Sequence, residues 1–206
     1  MINNSQLIVR KATENDIDRI IEIHKRSMPE ALLVRLGSSF LKKRVYSFAI
    51  KSPDVQIFVL ENYEKVFGAC IFSRTAKTFS QELSKYKVDI FFSAIRQVYT
   101  YPALLWDCLT TNNQNDTDWK NCAPDNFFYL FLIAIEPGTQ RFGYGSYLLN
   151  HGLEESSKYF QINNCLVDAR RSDSYNFYTK NQFVEIGQEM RGTKQFFKLL
   201  KNTKTT

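Results

Sequence analysis

Cysteine and histidine are scarce in this chain, and neither is clustered. The four cysteines (Cys70, Cys108, Cys122, Cys165) form no C-x-x-C pair, and the only histidines are His24 and His151. Thiolate and imidazole metal sites need such residues at close, repeated spacing, so no metal is expected. Cys70 and Cys165 lie in apolar runs and read as small core residues. No apolar run approaches the ~20 residues that cross a bilayer; the longest, Phe127 to Ile135, suits a buried strand. The first residues, Met1 to Gln6, are polar and carry no signal-peptide core. A soluble, cytoplasmic protein with no membrane association is the expectation. Basic residues outnumber acidic ones, giving a net charge of +6, but they are scattered apart from Lys194, Lys198, Lys201 and Lys204 near the end. No nucleic-acid-binding motif accompanies them, so no nucleic-acid partner is expected; an anionic small molecule is the other partner a basic surface suits.

What the chain does have is material for a core: 44% of its 206 residues are hydrophobic and 23% charged, which suits one domain over residues 1–206. Leu7 to Arg10 reads as a strand. Thr13 with Asp16 forms a variant capping box, and Ile17, Ile20, Ile21 and Ile23 continue at near-helical spacing to about Arg26. A second helix is predicted over Ser39 to Ala49, with Phe40, Leu41, Val45 and Phe48 inward. Val55–Leu60 and Val66–Phe72 form a hairpin. Residues 74–125 read as a helical and loop insertion, with helical character over Lys85–Tyr99 and Tyr101–Leu109 and a loop over Thr110–Asp118. Regular order resumes with a strand at Phe127–Ile135 and a helix over Gly143–Phe160 whose inward face is Leu148, Leu149 and Leu153. A strand at Asn164–Ala169, a helix at Asp173–Lys180, and strands near Phe183–Ile186 and Gln195–Leu199 complete the order. The fold class is mixed α/β, a largely antiparallel central sheet flanked by helices.

Between the strand and the long helix, Gln140-Arg141-Phe142-Gly143-Tyr144-Gly145 places two glycines where a helix begins. Glycine permits positive φ and close backbone approach. The free N–H groups and the positive end of the helix dipole make an anion site, to which Arg141 adds charge. A diphosphate is the natural occupant; an ordinary glycine-bearing turn is the alternative.

The segment from Ile133 to Leu149, with its strand, Pro137 and Gln140-x-x-Gly143-x-Gly145, resembles the acetyl-CoA motif of the GNAT superfamily of N-acetyltransferases, Q/R-x-x-G-x-G/A. The matching element order extends the resemblance over nearly the whole chain. It implies a GNAT-type fold and acetyl-CoA as co-substrate. The backbone of Ile133, Ala134 and Ile135 is then expected to pair with the pantetheine arm, and Gln140, Arg141, Phe142, Gly143, Tyr144, Gly145 and Ser146 to hold the pyrophosphate. A second segment is similar to the family's N-x-x-A-x-x-x-Y-x-K-x-G-F: Tyr178, Lys180 and Phe183 match, while Arg171, Ser174 and Gln182 replace the asparagine, alanine and glycine. Arg171 is retained as a candidate phosphate contact.

Amine acetylation needs a neutral amine and a stabilised leaving thiolate. For a lysine-like amine of pKa ~10.4, deprotonation at pH 7 costs ~4.6 kcal/mol, which a general base lowers. The resemblance assigns Tyr178 as general acid; a partly buried aromatic, with Phe177 as the better core residue, is the bland alternative. Glu136 and Asp168 are both carboxylates at strand ends. Alternation puts Asp168 on the face of buried Leu166, which favours it as base. The implied activity is acetyl transfer by direct attack in a ternary complex onto a primary amine, such as that of an amino sugar. The alternatives are a CoA-binding sensor or assembly subunit and a protein N-terminal or lysine acetyltransferase. A homodimer is compatible with the sequence.

Overall fold

The structure, a computed structural model, describes residues 7–63, 65–75, 77–86, 123–170, 173–191 and 194–204. The chain opens with β1 (Ile8–Lys11) and a 3-10 turn (Glu14–Asp16), then α1 (Ile17–Ser27) and the short α2 (Leu32–Arg35). The Asp16 carboxylate accepts the Thr13 N–H at 2.7 Å and closes the entry to α1. All four expected isoleucines of α1 are buried. A helical segment over 38–49, here α3, is π-helical at Leu41–Tyr46, where Ser47 Oγ donates back to the Lys42 carbonyl at 2.7 Å. The hairpin is β2 (Val55–Asn62) and β3 (Lys65–Ser73). α4 (Thr78–Ser84) follows, then β4 (Phe128–Ile135), a 3-10 turn (Pro137–Thr139) and α5 (Tyr144–Phe160). The chain ends with β5 (Asn164–Ala169), α6 (Asp173–Lys180), β6 (Val184–Arg191) and β7 (Lys194–Asn202).

The seven strands form one sheet in the order β1-β2-β3-β4-β5-β7-β6. Every neighbouring pair is antiparallel except β4–β5, which is parallel and joined only at Phe128↔Cys165 and Tyr129↔Leu166. From Leu130 onward β4 keeps β3 on one side but, among the described residues, has no paired strand on the other. The sheet is therefore split along its centre.

Each face of the sheet carries its own apolar cluster. On the first face, α1 and α3 bury Ile20, Ile23, Leu41 and Val45 against Ile57, Val59, Ala69 and Ile71. On the second, α5 buries Leu148, Leu149 and Leu153 against Phe58, Leu60, Phe72 and Leu130. Full burial of one such leucine contributes ~1.5–3 kcal/mol, so the inward stripe of α5 suffices to seat it. The register of β4 shifts at Phe131, between the pairs Phe72↔Leu130 and Ile71↔Leu132. One extra residue reverses the alternation: Phe128 and Leu130 face α5, whereas Leu132 and Ala134 face α1.

Several expectations shift. Of the helix expected over Lys85–Tyr99 only Lys85 and Tyr86 are described, and they form a turn after a separate helix at Thr78–Ser84. The readings for 87–99, Tyr101–Leu109 and Thr110–Asp118 lie outside the described residues. Tyr178, not Phe177, is the fully packed aromatic of α6, because Phe183 and Phe177 close on either side of its ring. Cys70 and Cys165 are buried and unpaired, and burial pushes both thiols up. No described helix is long and apolar enough to cross a membrane, and no group of three or more metal-ligating side chains occurs among the described residues.

Candidate functional site

The glycine loop is held by its stem. The Ile135 carbonyl accepts from Gln140 Nε2 at 3.0 Å and from Ser27 Oγ of α1 at 2.8 Å. Glu136 donates its N–H to the Phe67 carbonyl at 2.8 Å, and its carboxylate binds Arg19 at 2.9 Å and Arg26 at 2.5 Å. The carboxylate of Glu136 thus faces α1, away from the cleft that a general base must reach. Beyond the stem, Arg141 (φ 69°) and Gly143 (φ 85°) both take left-handed backbone, and Gly143 caps α5. For Arg141 that conformation costs roughly 1–2 kcal/mol.

The two glycines serve different ends. Gly143 supplies the positive φ and has open space where a Cβ would be. Gly145 has ordinary helical backbone, but a Cβ there would lie 3.2 Å from Phe177 Cε2, so it lets α6 close on the start of α5. The N–H groups of Tyr144, Gly145 and Ser146 begin the helix and have no carbonyl a turn behind them within it.

These elements border a cleft of about 2240 Å³ that runs along the split between β4 and β5. Of the residues expected to hold a cofactor, Ile133, Ile135, Gln140, Arg141, Gly143, Gly145 and Ser146 line it. Ala134 is buried toward α1, Tyr144 packs on Phe67, and the Phe142 ring is exposed at 63%. The side chains of these three are therefore not among those that line the cleft. Arg171 lies outside the described residues. The edge of β4 left free by β5 offers Ile133–Ile135 backbone to an extended ligand, and the loop offers N–H groups to an anion at its end. An elongated molecule with an amide-bearing arm and a diphosphate, as in coenzyme A, fits this arrangement.

Tyr178 lines the same cleft, 7% exposed, and its hydroxyl donates to no other described residue. Burial pushes the phenol well above the ordinary tyrosine range, with smaller contributions from Cys165 and Asp168. The group keeps its proton throughout the neutral range. Such a phenol acts by donating a hydrogen bond to a thiolate more than by surrendering its proton to one. Gln182, where the family motif has glycine, takes the left-handed backbone (φ 68°) that ends α6.

Asp168 also reaches the cleft, in a cluster the sequence reading missed. Lys198 Nζ lies 2.8 Å from Asp168 Oδ1 and 2.7 Å from Glu189 Oε2, with all three side chains no more than 7% exposed. Cross-strand register makes Asp168 and Lys198 direct partners. The alternation of Phe197, Lys198 and Leu199 was the available signal, masked by reading Lys198 as part of a basic tail. His24 and His151 stand apart from the cleft: His24 is buried beside Tyr46, and His151 packs edge-on to Phe58.

No family model matches the chain, and no curated protein matches it by sequence. Solved structures do match. The ribosomal-protein-S18-alanine N-acetyltransferase from Escherichia coli aligns with TM-score 0.58 and 14% identity, over 96% of this chain and 94% of that one. The spermidine/spermine N-acetyltransferase SpeG from Vibrio cholerae gives 0.56 and 14%, over 97% and 94%. A histone acetyltransferase HPA2 and related acetyltransferase from Corynebacterium glutamicum gives 0.60 and 16%, over 96% of both. The fold is that of the GNAT N-acetyltransferases.

Proposed function

We propose that this protein, acting as one domain, transfers an acetyl group from acetyl-CoA to the primary amine of a small molecule. The observation that carries the reading is the parting of β4 from β5 beyond Tyr129 and Leu166, with the left-handed Gly143 loop at its end and Tyr178 in the same cleft. The free edge at Ile133–Ile135 aligns the arm of the co-substrate, and the N–H groups from Arg141 to Ser146 take its diphosphate, with Arg171 as a further phosphate contact. Acetyl-CoA brings an activated thioester. The acceptor nitrogen forms the new C–N bond as the C–S bond breaks. Tyr178 hydrogen-bonds the departing sulfur, and Asp168, steadied by Lys198, accepts the amine proton.

The test pairs calorimetry with turnover. CoA is expected to bind the purified protein, and thiol release from acetyl-CoA to depend on an added amine drawn from amino sugars, polyamines, arylalkylamines and peptides. Tyr178→Phe is expected to lower kcat by roughly 10²–10⁴-fold with CoA affinity unchanged. Absence of CoA binding, or a Tyr178→Phe enzyme with undiminished kcat, sinks the reading.

A further inference from the structure

The half of the cleft away from the glycine loop has a different chemistry. The rings of Phe79 from α4 and Phe131 from β4 stack at 3.8 Å between centroids with 16° between planes. Met28, Leu33 and Leu83 line the same side, each half-buried and packed against the cluster under α1. The bulge at Phe131 puts this ring there, because the extra residue turns the β4 side chains from the α5 face to the α1 face.

Across the split stands the polar wall. Cys165, Val167 and Ala169 face α5 and α6, so Asp168 projects from the opposite face of β5, the one that Phe131 also occupies. Tyr129 and Leu166 are the last paired residues of the two strands. Phe131 and Asp168 each lie two residues further along their strands, Asp168 about 7 Å beyond that last pair and Phe131 somewhat less because the bulge shortens β4 there, on either side of the opening. Both line the one cleft, together with Lys198 and Glu189.

We infer that the acceptor is an arylalkylamine, a primary amine separated by a short aliphatic link from an aromatic ring. The ring lies on the partly exposed Phe131, which the buried Phe79 backs, and the amine points across the opening toward Asp168. An aromatic group stacks on such a wall with offset geometry and displaces water from apolar surface, whereas sugar hydroxyls set there lose water without gaining partners. The carboxylate side suits the ammonium form on entry, and loss of its proton to Asp168 frees the nitrogen to attack the thioester carbonyl, the thiolate leaving as the C–S bond breaks. This inference rests on the acyl-transfer reading above and narrows its acceptor.

The experiment measures kcat/KM for 2-phenylethylamine, D-glucosamine and spermidine with the full chain and acetyl-CoA. The aromatic amine is expected to exceed the other two by about tenfold or more. Phe131→Ala is expected to lower its kcat/KM by a similar factor, mainly through KM, with CoA affinity unchanged as the sign that β4 is intact. If Phe131→Ala fails to fold, Phe131→Leu keeps most of the apolar volume and removes the ring, with the same expectation. Equal or better use of glucosamine or spermidine overturns the inference. If no amine is turned over, calorimetry of 2-phenylethylamine against CoA-loaded protein decides. Binding that Phe131→Ala abolishes upholds the aromatic site and condemns only the catalytic reading, while absence of binding overturns the site itself.

Discussion

His24 lies 3% exposed on α1, with Nδ1 2.8 Å from the Tyr46 hydroxyl of α3. Burial lowers its pKa from 6.5 to about 4. Between those values the unfolded chain binds a proton that the folded protein refuses, so stability falls as pH drops. The contribution of neutral His24 is complete above pH 6.5 and is lost progressively down to about pH 4. At ~1.36 kcal/mol per pH unit, the gap amounts to about 3 kcal/mol, a large part of a typical domain stability of ~5–15 kcal/mol. His24→Gln keeps a hydrogen-bonding side chain beside Tyr46 and cannot titrate. Urea unfolding followed by far-UV circular dichroism, at intervals from pH 4 to 7.5, gives the difference in stability between the two proteins. That difference is expected to move against the parent by about 3 kcal/mol across the range. Asp16 does not imitate it: Arg10 holds its carboxyl down to about 2, so its contribution is lost only below its ordinary value of 3.8. A pH-independent difference would refute the account of His24 as a neutral core residue. Because α1 also carries Ser27, Arg19 and Arg26, which fix Ile135 and Glu136, CoA affinity is expected to weaken over the same range.

Gly143→Val places a β-branched residue at φ 85°; the strain of ~1–3 kcal/mol predicts roughly a 5- to 150-fold weaker CoA affinity by calorimetry, and unchanged affinity would remove the loop from the site. Gln182→Gly relieves a left-handed non-glycine residue at the end of α6; a gain of ~1 kcal/mol in urea unfolding is expected, and a loss would mean that the Gln182 side chain outweighs its backbone strain.

Much of the fold was legible because its signals are local. The isoleucine spacing of α1, the turn between β2 and β3, and the leucine stripe of α5 each report one face of one element. Asn164–Ala169 and Asp173–Lys180 have the bounds that their patterns predict. The strand ends of β6 and β7 were drawn short, because edge positions such as Glu189 and Lys201 are polar yet still paired or buried.

The sequence by itself determined the strand, the left-handed loop and the helix between Phe128 and Phe160, since proline, glycine and a leucine stripe act on the backbone within a few residues. It also placed Tyr178 on a short helix after the next strand. Only the tertiary structure decided what these elements enclose. The split of β4 from β5 is a matter of which residues of distant strands stay paired, and period alone carries no such information. Long-range packing separated the roles of Gly143 and Gly145, turned Glu136 toward two arginines of α1 and buried Tyr178 more deeply than Phe177. The same packing gathered Asp168, Lys198 and Glu189 from three strands and stacked Phe79 on Phe131 across residues far apart in the chain. Burial and pairing depend on which surfaces meet, and that is fixed only when the whole sheet assembles.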